Sequence, residues 1–401
     1  METKWNIEDK VFMEVVEPTV YTFMNKKAVL FSVEMEQGRA LKIYNVRREN
    51  LHLFPLFFYK NGQSLEQIDM VGAFNRWWSG RKIPASRDGV KSLLWELEGR
   101  EIKNLEHLAE KALGLSLSDQ YWLCPDEKIK WENVNFFSNP FSDDIGDLLV
   151  EGNWHEGAEL RSPDNTSDGV IKKRWKIIDE QRFLLKSSTG VPWQAQPRRE
   201  VLASEFAQVL LKPFNQGFYV PYYLQTINEE EFCICPNFVT TETEYVPFNQ
   251  LIRSKLRKEP KFFYQVCLQY YKGFEYVLEL TLILDYIILN EDRHTGNFGL
   301  IRSVNTGEII RPAPIFDTGS SLFHNSLSTV SDNVMAKPFY KNHEAQIELV
   351  EVSKYRESLE LLQESAQEIF ERVFWGSNEG EERIQKMRTI VEERINGLLQ
   401  R

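Results

Sequence analysis

Apolar and polar positions divide the chain into a strand-patterned start, a helical stretch, a second strand-patterned stretch and a long helical end. From Val11 to Phe58 apolar runs alternate with turns, and VYTF, AVLFSVEM and ALKIYNV carry the two-residue spacing of strands. Gly38 and Asn61-Gly62 mark turns between them. From Phe74 to Leu113 the spacing becomes helical. Ser86 or Asp88 stands where a cap belongs, ahead of Val90, Leu93, Leu94 and Leu97. Asn104 opens a further helix with Leu105, Leu108 and Leu113 on its apolar stripe and Gly114 as its stop. Leu117 to Val150 is aromatic and rich in turns. It predicts a packing block that ties the first part of the chain to the rest. The polar, glycine-bearing run Glu151 to Arg161 marks a domain boundary.

Strand patterning returns at Gln181–Lys186, a short run ending in lysine. Arg198 to Leu211 reads as a helix, with Val201, Phe206, Val209 and Leu210 apolar. Tyr219–Leu224 and Glu231–Cys235 read as strands. The chain is helical from Phe248. Phe262 to Leu289 is dense enough in apolar residues for one long buried helix, which stops at Asn290. Leu300–Arg302 and Ile309–Arg311 flank Asn305-Thr306-Gly307-Glu308, a hairpin signal. Tyr355 to Leu399 is strongly helical, and Gly376 and Gly380 split it in two.

Composition narrows the class. The chain has 401 residues, 42% hydrophobic and 27% charged, as in a globular protein with room for two cores. Its net charge is −11, which argues against nonspecific binding to nucleic acid or anionic membrane. Arg76, Arg81, Lys82 and Arg87 form a local basic cluster among tryptophans. It reads as a solvated face with the tryptophans packed inward, the alternative being a partner site. Cys124, Cys233, Cys235 and Cys267 fit neither zinc spacing nor a disulfide framework, and free thiols suggest a reducing cytoplasm. The start METKWNIEDK has no apolar signal region, and the most apolar run, Val277 to Leu289, is cut by Glu279 and Asp285, so no membrane span is expected.

The chemistry concentrates between Asp285 and Asp317. Asp292-Arg293-His294-Thr295-Gly296-Asn297 is followed, after the hairpin, by Phe316-Asp317-Thr318-Gly319. Phosphoryl transfer needs a carboxylate to orient and deprotonate the attacking hydroxyl, and oxygen ligands to hold magnesium against the phosphates. Asp292 suits the first role, and Asn297 and Asp317 the second. Arg293, beside the base, would steady the loop or a phosphate. His294 has no second His or Cys at metal spacing and takes a supporting role. Upstream, Lys186 stands where a kinase lysine grips the α- and β-phosphates. Its partner would be a Glu on the next helix, either Glu200 or Glu205. The small polar run Ser162 to Gly169, with Ser162, Thr166, Ser167 and Gly169, has the composition of a loop that cradles phosphates through backbone N–H groups. Pro236-Asn237-Phe238-Val239 falls where an adenine-binding hinge belongs, which makes Phe238 a candidate nucleotide contact.

NEDRHTGNFG followed by APIFDTGSSL resembles the HipA-type serine/threonine kinases, and DRHTGN is also similar to the catalytic loop of phosphatidylinositol kinases. The resemblance to the HipA group runs from about Ser162 to the end of the chain. It implies an α+β, two-lobed protein-kinase-like fold. A kinase domain over 156–401, with its N-lobe to about 240 and its C-lobe from about 241, would lie behind an accessory α/β segment at 1–155. The resemblance favours Glu200 over Glu205 as the partner of Lys186. It implies ATP and Mg2+ as cofactors and a protein Ser/Thr hydroxyl as acceptor. It also implies self-phosphorylation of the Ser162–Gly169 loop, where a phosphate would be repelled by bound triphosphate and switch the enzyme off. The expected partners are a protein substrate and a regulatory protein, with no direct nucleic-acid binding and no membrane. The long N-terminal segment departs from HipA toxins, so their role and targets are not carried over. The alternatives are a small-molecule kinase of the antibiotic-phosphotransferase type, which shares the Asp-to-Asn spacing, and a nucleotide-binding scaffold without catalysis. Asp292, Asn297 and Asp317 together speak against the scaffold.

Overall fold

The computed structural model describes residues 18–58, 65–87, 89–97, 105–152, 157–167, 169, 171–188, 196–215, 217–252, 258–326, 329 and 334–401. In chain order these form β1 (Thr19–Asn25), β2 (Ala28–Glu36), β3 (Arg39–Tyr44), α1 (Met70–Ser79), α2 (Val90–Leu97), α3 (Leu105–Lys111), β4 (Tyr121–Cys124), α4 (Trp131–Val134) and α5 (Asp144–Glu151). The second part comprises β5 (Lys173–Ile178), β6 (Gln181–Lys186), α6 (Gln196–Leu211), β7 (Tyr223–Ile227), β8 (Glu230–Pro236), β9 (Thr243–Pro247), α7 (Phe248–Leu251), α8 (Pro260–Tyr270), α9 (Glu275–Ile287), β10 (Gly299–Ser303), β11 (Ile309–Pro312), α10 (His343–Ile347), α11 (Arg356–Phe374) and α12 (Glu381–Leu399). The predicted cap positions Asp88 and Asn104 and the turn Asn61-Gly62 lie outside the described residues.

Three antiparallel sheets result, with strand orders β3-β2-β1-β4, β5-β6-β8-β7 and β11-β10-β9. The hairpins are tight. Gln37-Gly38, Asp179-Glu180 and Asn228-Glu229 all hold positive φ at both central positions, the twist that lets a two-residue turn join right-twisted strands. The long apolar run at 262–289 makes two helices rather than one. α8 stops at Tyr270, and Gly273, at φ +84°, lets the chain reverse into α9.

The largest core is helical. α6 crosses from the middle sheet onto α9 and α11, and Leu202, Phe206, Leu280, Ile283, Leu362 and Phe370 are buried together there. A separate aromatic core, including Phe23, Phe31, Phe74, Trp77 and Tyr121, lies under the first sheet. The first 150 residues grip both halves of the remaining chain. Arg182 on β6 donates to the carbonyls of Phe136 and Asn139, at 2.9 and 2.8 Å. Arg302 on β10 donates to the carbonyl of Phe54 and the hydroxyl of Tyr121 and pairs with buried Glu244 on β9. Among the described residues no helix is long and apolar enough to cross a membrane.

Only part of the basic cluster is a solvated face: Arg76 is exposed and Trp77 and Trp78 pack inward as expected, but two of the arginines are buried. Arg81 is 5% exposed, paired with Asp119 and stacked on Trp77, while Arg87, 2% exposed, donates to Ser167 and Gly169. Asp119 and the carbonyls of the later turn balance cations that the local sequence presented as surplus.

Candidate active site

The site lies where the middle sheet, α6 and the loops after α9 and β11 meet. Lys186 ends β6, paired in register with Lys173 on one side and Cys233 on the other. Its side chain is buried, and Nζ donates to Glu200 Oε1 and Asp317 Oδ1. Burial alone would push this ammonium down, but the carboxylates of Asp317 and Glu200 outweigh it and hold it well above its usual value. Burial would likewise raise Asp317, but Lys186, then Lys173 and Arg293, hold it well below the usual carboxylate range. Both groups are therefore ionised, which a buried site tolerates only because they face each other.

Glu200 does more than meet the lysine. Its Oε2 accepts from the backbone N–H and the hydroxyl of Thr318, at 2.7 and 2.8 Å. The helix thus fixes the loop that carries Asp317, whose φ is +57°. Gly319 lies against Glu200, where an added Cβ would stand 3.1 Å from its Cγ. Glu205 pairs with Arg372 at the surface instead. α6 itself is pinned to the helical half. Arg198 donates to the carbonyls of Val373 and Trp375, and Arg199 to those of Ser321 and Leu322 and to the buried carboxylate of Glu379.

The Asp292 loop is held mainly by its own atoms. Asn290 Oδ1 accepts from Asp292 N–H at 3.1 Å, and the Asp292 carbonyl accepts from His294 N–H and from Asn297 Nδ2 at 2.7 and 3.1 Å. His294 Nδ1 accepts from Gly296 N–H, so His294 shapes the loop. Arg293 is 1% exposed and turned inward. It makes a two-point contact with Asp285, at 2.9 and 3.0 Å, and Nη1 donates to the carbonyls of Asn297 and Phe316 at 2.8 and 2.6 Å. One guanidinium thus ties the Asn297 loop to the residue before Asp317. Burial would lower Arg293, but Asp285 more than offsets it. Four of its five N–H donors are used within the protein, and through them it positions the two loops.

Magnesium fits the donors present. The amide of Asn297 gives its nitrogen to Asp292, which turns Oδ1 the other way, and Asp317 keeps a second carboxylate oxygen beside the one that meets Lys186. Among the described residues no group of three His, Cys, Asp or Glu could hold a metal by itself. The remaining ligands would be phosphate and water oxygens, which is how magnesium is usually bound. Phe238 joins a ring cluster with Phe316 and Tyr245, at 5.2 and 5.7 Å, directly before Asp317. It lines a cleft of about 420 Å³ with Phe218, Tyr219, Arg311 and Pro314.

The Ser162–Gly169 run is only partly at this site. Pro163–Thr166 is a short, buried 3-10 turn. Ser162 Oγ caps it, accepting from Asp164 N–H. Thr166 Oγ1 donates to the Leu115 and Pro163 carbonyls, and Ser167 Oγ donates to the Asp164 carbonyl and accepts from Arg87. The hydroxyls of Thr166 and Ser167 are thus engaged in the contact with the N-terminal segment and that of Ser162 within its own turn, and the structure does not bring them to Lys186. Gly169 is different. At φ +98° it lies where a Cβ would come within 2.5 Å of Lys173 Nζ, and the charge of Lys173 reaches Asp317. Sequence reasoning passed over Lys173, although the Lys172-Lys173-Arg174 run after a glycine was a visible signal. It also passed over Lys337, whose Nζ donates to Asp292 Oδ1 at 2.7 Å and which no spacing rule connects to the loop.

No family profile and no curated protein matches the chain. Among solved structures, HipA of Shewanella oneidensis MR-1, from a toxin–antitoxin complex with HipB and operator DNA, aligns with a TM-score of 0.55 at 9% identity, covering 95% of this chain and 99% of that one. The proinflammatory kinase CtkA of Helicobacter pylori aligns with a TM-score of 0.45 at 18% identity, covering 57% of this chain and 90% of that one. The first likeness shows the fold to be the α+β, two-lobed, protein-kinase-like fold of HipA. The structural likeness takes in most of the N-terminal segment as well as the part after Ser162.

Proposed function

We propose that this chain, HipA-like in fold, is an ATP- and magnesium-dependent kinase that phosphorylates a protein serine or threonine. One observation carries the reading: Lys186 meets Glu200 and Asp317 at once, and Arg293 ties the loop of Asp292 and Asn297 to the residue before Asp317. A scaffold has no use for a carboxylate like Asp292, half open to solvent and braced by its own loop. Lys186, positioned by Glu200, would bind the α- and β-phosphates. Asn297 and Asp317 would hold magnesium, which when bound offsets charge on the phosphates. Asp292 would accept the proton of the acceptor hydroxyl. Phe238 and the cleft beside it suit the base of the nucleotide, and Gly169 with Lys173 suits the phosphates.

Protein serine or threonine as acceptor, a regulatory partner protein and a place in the cytoplasm belong to the same proposal, as does the division into an accessory segment at 1–155 and a kinase domain at 156–401. Self-phosphorylation at Ser162, Thr166 or Ser167 would require their turn to leave its buried seat, so it should be slow and should accompany loosening of the N-terminal contact. Incubation with labelled ATP and magnesium, with and without a cell lysate and with Asp292→Ala as control, tests the proposal. Label in protein bands that vanishes with the control is the expected result. Label in small metabolites only would favour the small-molecule kinase instead.

A further inference from the structure

Lys337 stands 45 residues beyond Asp292 in the chain, and its Nζ lies 2.7 Å from Asp292 Oδ1. Both side chains stay open, 46% and 42% exposed. A half-exposed pair adds little to folding, yet this lysine sits on a built turn. Gln346, 2% exposed, donates to the Lys337 carbonyl at 2.7 Å and accepts from Phe339 N–H at 3.0 Å. Ala336 N–H donates to the Lys341 carbonyl across the same turn, and the Phe339 ring is buried against Phe263 and Tyr264. A fold that anchors the backbone on both sides of a lysine and leaves its ammonium on the catalytic carboxylate is fixing the place of a charge.

We propose that Lys337 is a catalytic residue, the cation that meets the transferring phosphoryl group at the acceptor end of the cleft. The inference rests on the kinase reading above. In the reaction the acceptor oxygen attacks the γ-phosphorus and its proton passes to Asp292. The bond from γ-phosphorus to the bridging oxygen breaks, and ADP leaves with that electron pair. Negative charge on the moving group is shared over three terminal oxygens. Lys186, paired with Glu200 and Asp317, is assigned to the α- and β-phosphates, and Arg293 is held by Asp285 and two carbonyls. Lys337 keeps its proton throughout. It rests on Asp292 until phosphate oxygens arrive and then bridges the two, so its contact strengthens as charge develops.

The test compares wild type, Lys337→Met and Lys337→Arg in single-turnover phosphoryl transfer, in affinity for ADP, and in affinity for ADP with aluminium fluoride, a mimic of the planar phosphoryl group. Lys337→Met should slow transfer about a hundredfold. It should leave ADP affinity and the denaturant midpoint unchanged and erase the extra tightness conferred by aluminium fluoride, while Lys337→Arg restores part of both. A methionine variant that transfers at the wild-type rate would overturn the role of Lys337 and leave the kinase reading standing. So would one that weakens ADP and its aluminium fluoride complex equally. A wild-type chain that neither binds nucleotide nor transfers phosphate would overturn both.

Discussion

Glu200 and Thr318, 118 residues apart, are joined by two hydrogen bonds to one carboxylate oxygen, from the threonine N–H at 2.7 Å and its hydroxyl at 2.8 Å. The other oxygen holds Lys186. A single side chain on α6 therefore sets both Lys186 and the loop that carries Asp317. Glu200→Gln should remove the charge that faces Lys186 and disturb Thr318 together. Breaking one partner of a buried charged cluster costs about 3 kcal/mol. Urea denaturation should show a loss of that order, together with weakened nucleotide binding. Glu205→Gln, at the surface, should match wild type in both assays.

In the proposed reaction Asp292 would meet the acceptor hydroxyl rather than the nucleotide. Asp292→Ala should lower transfer by about a hundredfold or more and leave ATP affinity near the wild-type value. Calorimetry paired with a transfer assay checks this, and full activity in the variant would remove Asp292 from the role of base.

Asp317→Asn keeps the shape and deletes the charge. Nucleotide binding to this variant should respond much less to magnesium than binding to wild type, since a negative ligand to the cation is gone. Titrations of ATP with and without EDTA make the comparison. Equal metal dependence would rule Asp317 out as a ligand.

Arg293 is a clamp between loops. Arg293→Lys retains the charge but cannot span Asp285 and two carbonyls at once. Transfer should fall together with thermal stability even though Asp292, Asn297 and Asp317 are intact. Unchanged melting with lost activity would point instead to direct contact with a phosphate.

The contact between the N-terminal segment and the rest should carry a pH dependence. Burial pushes Glu244 up to about 7, against the pull of Arg302. Asp164 is likewise raised by burial to about 6. Both folded values lie above the unfolded ones, so the folded chain binds the extra protons. The stability these groups contribute is fully present below the ordinary carboxylate values and is lost as pH rises through about 6 and 7. Melting temperature should decline between pH 5 and pH 8, and Glu244→Gln should flatten the upper part of that decline. A wild-type profile flat over this range would refute the assignment.

Much of this protein is legible without its structure. Two-residue alternation marked β1 to β3, glycines marked the break between α11 and α12, and the order Lys186, Asp292, Asn297, Asp317 pointed to phosphoryl transfer, because local periodicity and spacing follow from backbone geometry. Other features depended on contacts between distant segments. Glu200 and Glu205 lie on different faces of α6, and only packing decides which one meets Lys186. Ser162, Thr166 and Ser167 have the composition of an open phosphate loop, but Leu115, Pro163 and Arg87 take up hydroxyls among them. Arg81 and Arg87 look like surface charges until Asp119 and the carbonyls of a later turn close over them. Lys337 reaches Asp292 from a turn that carries no motif. The sequence by itself determined which chemistry is present and in what order. The tertiary structure decided which charges face each other, because a buried charge is stable only beside a partner and that partner comes from anywhere in the chain.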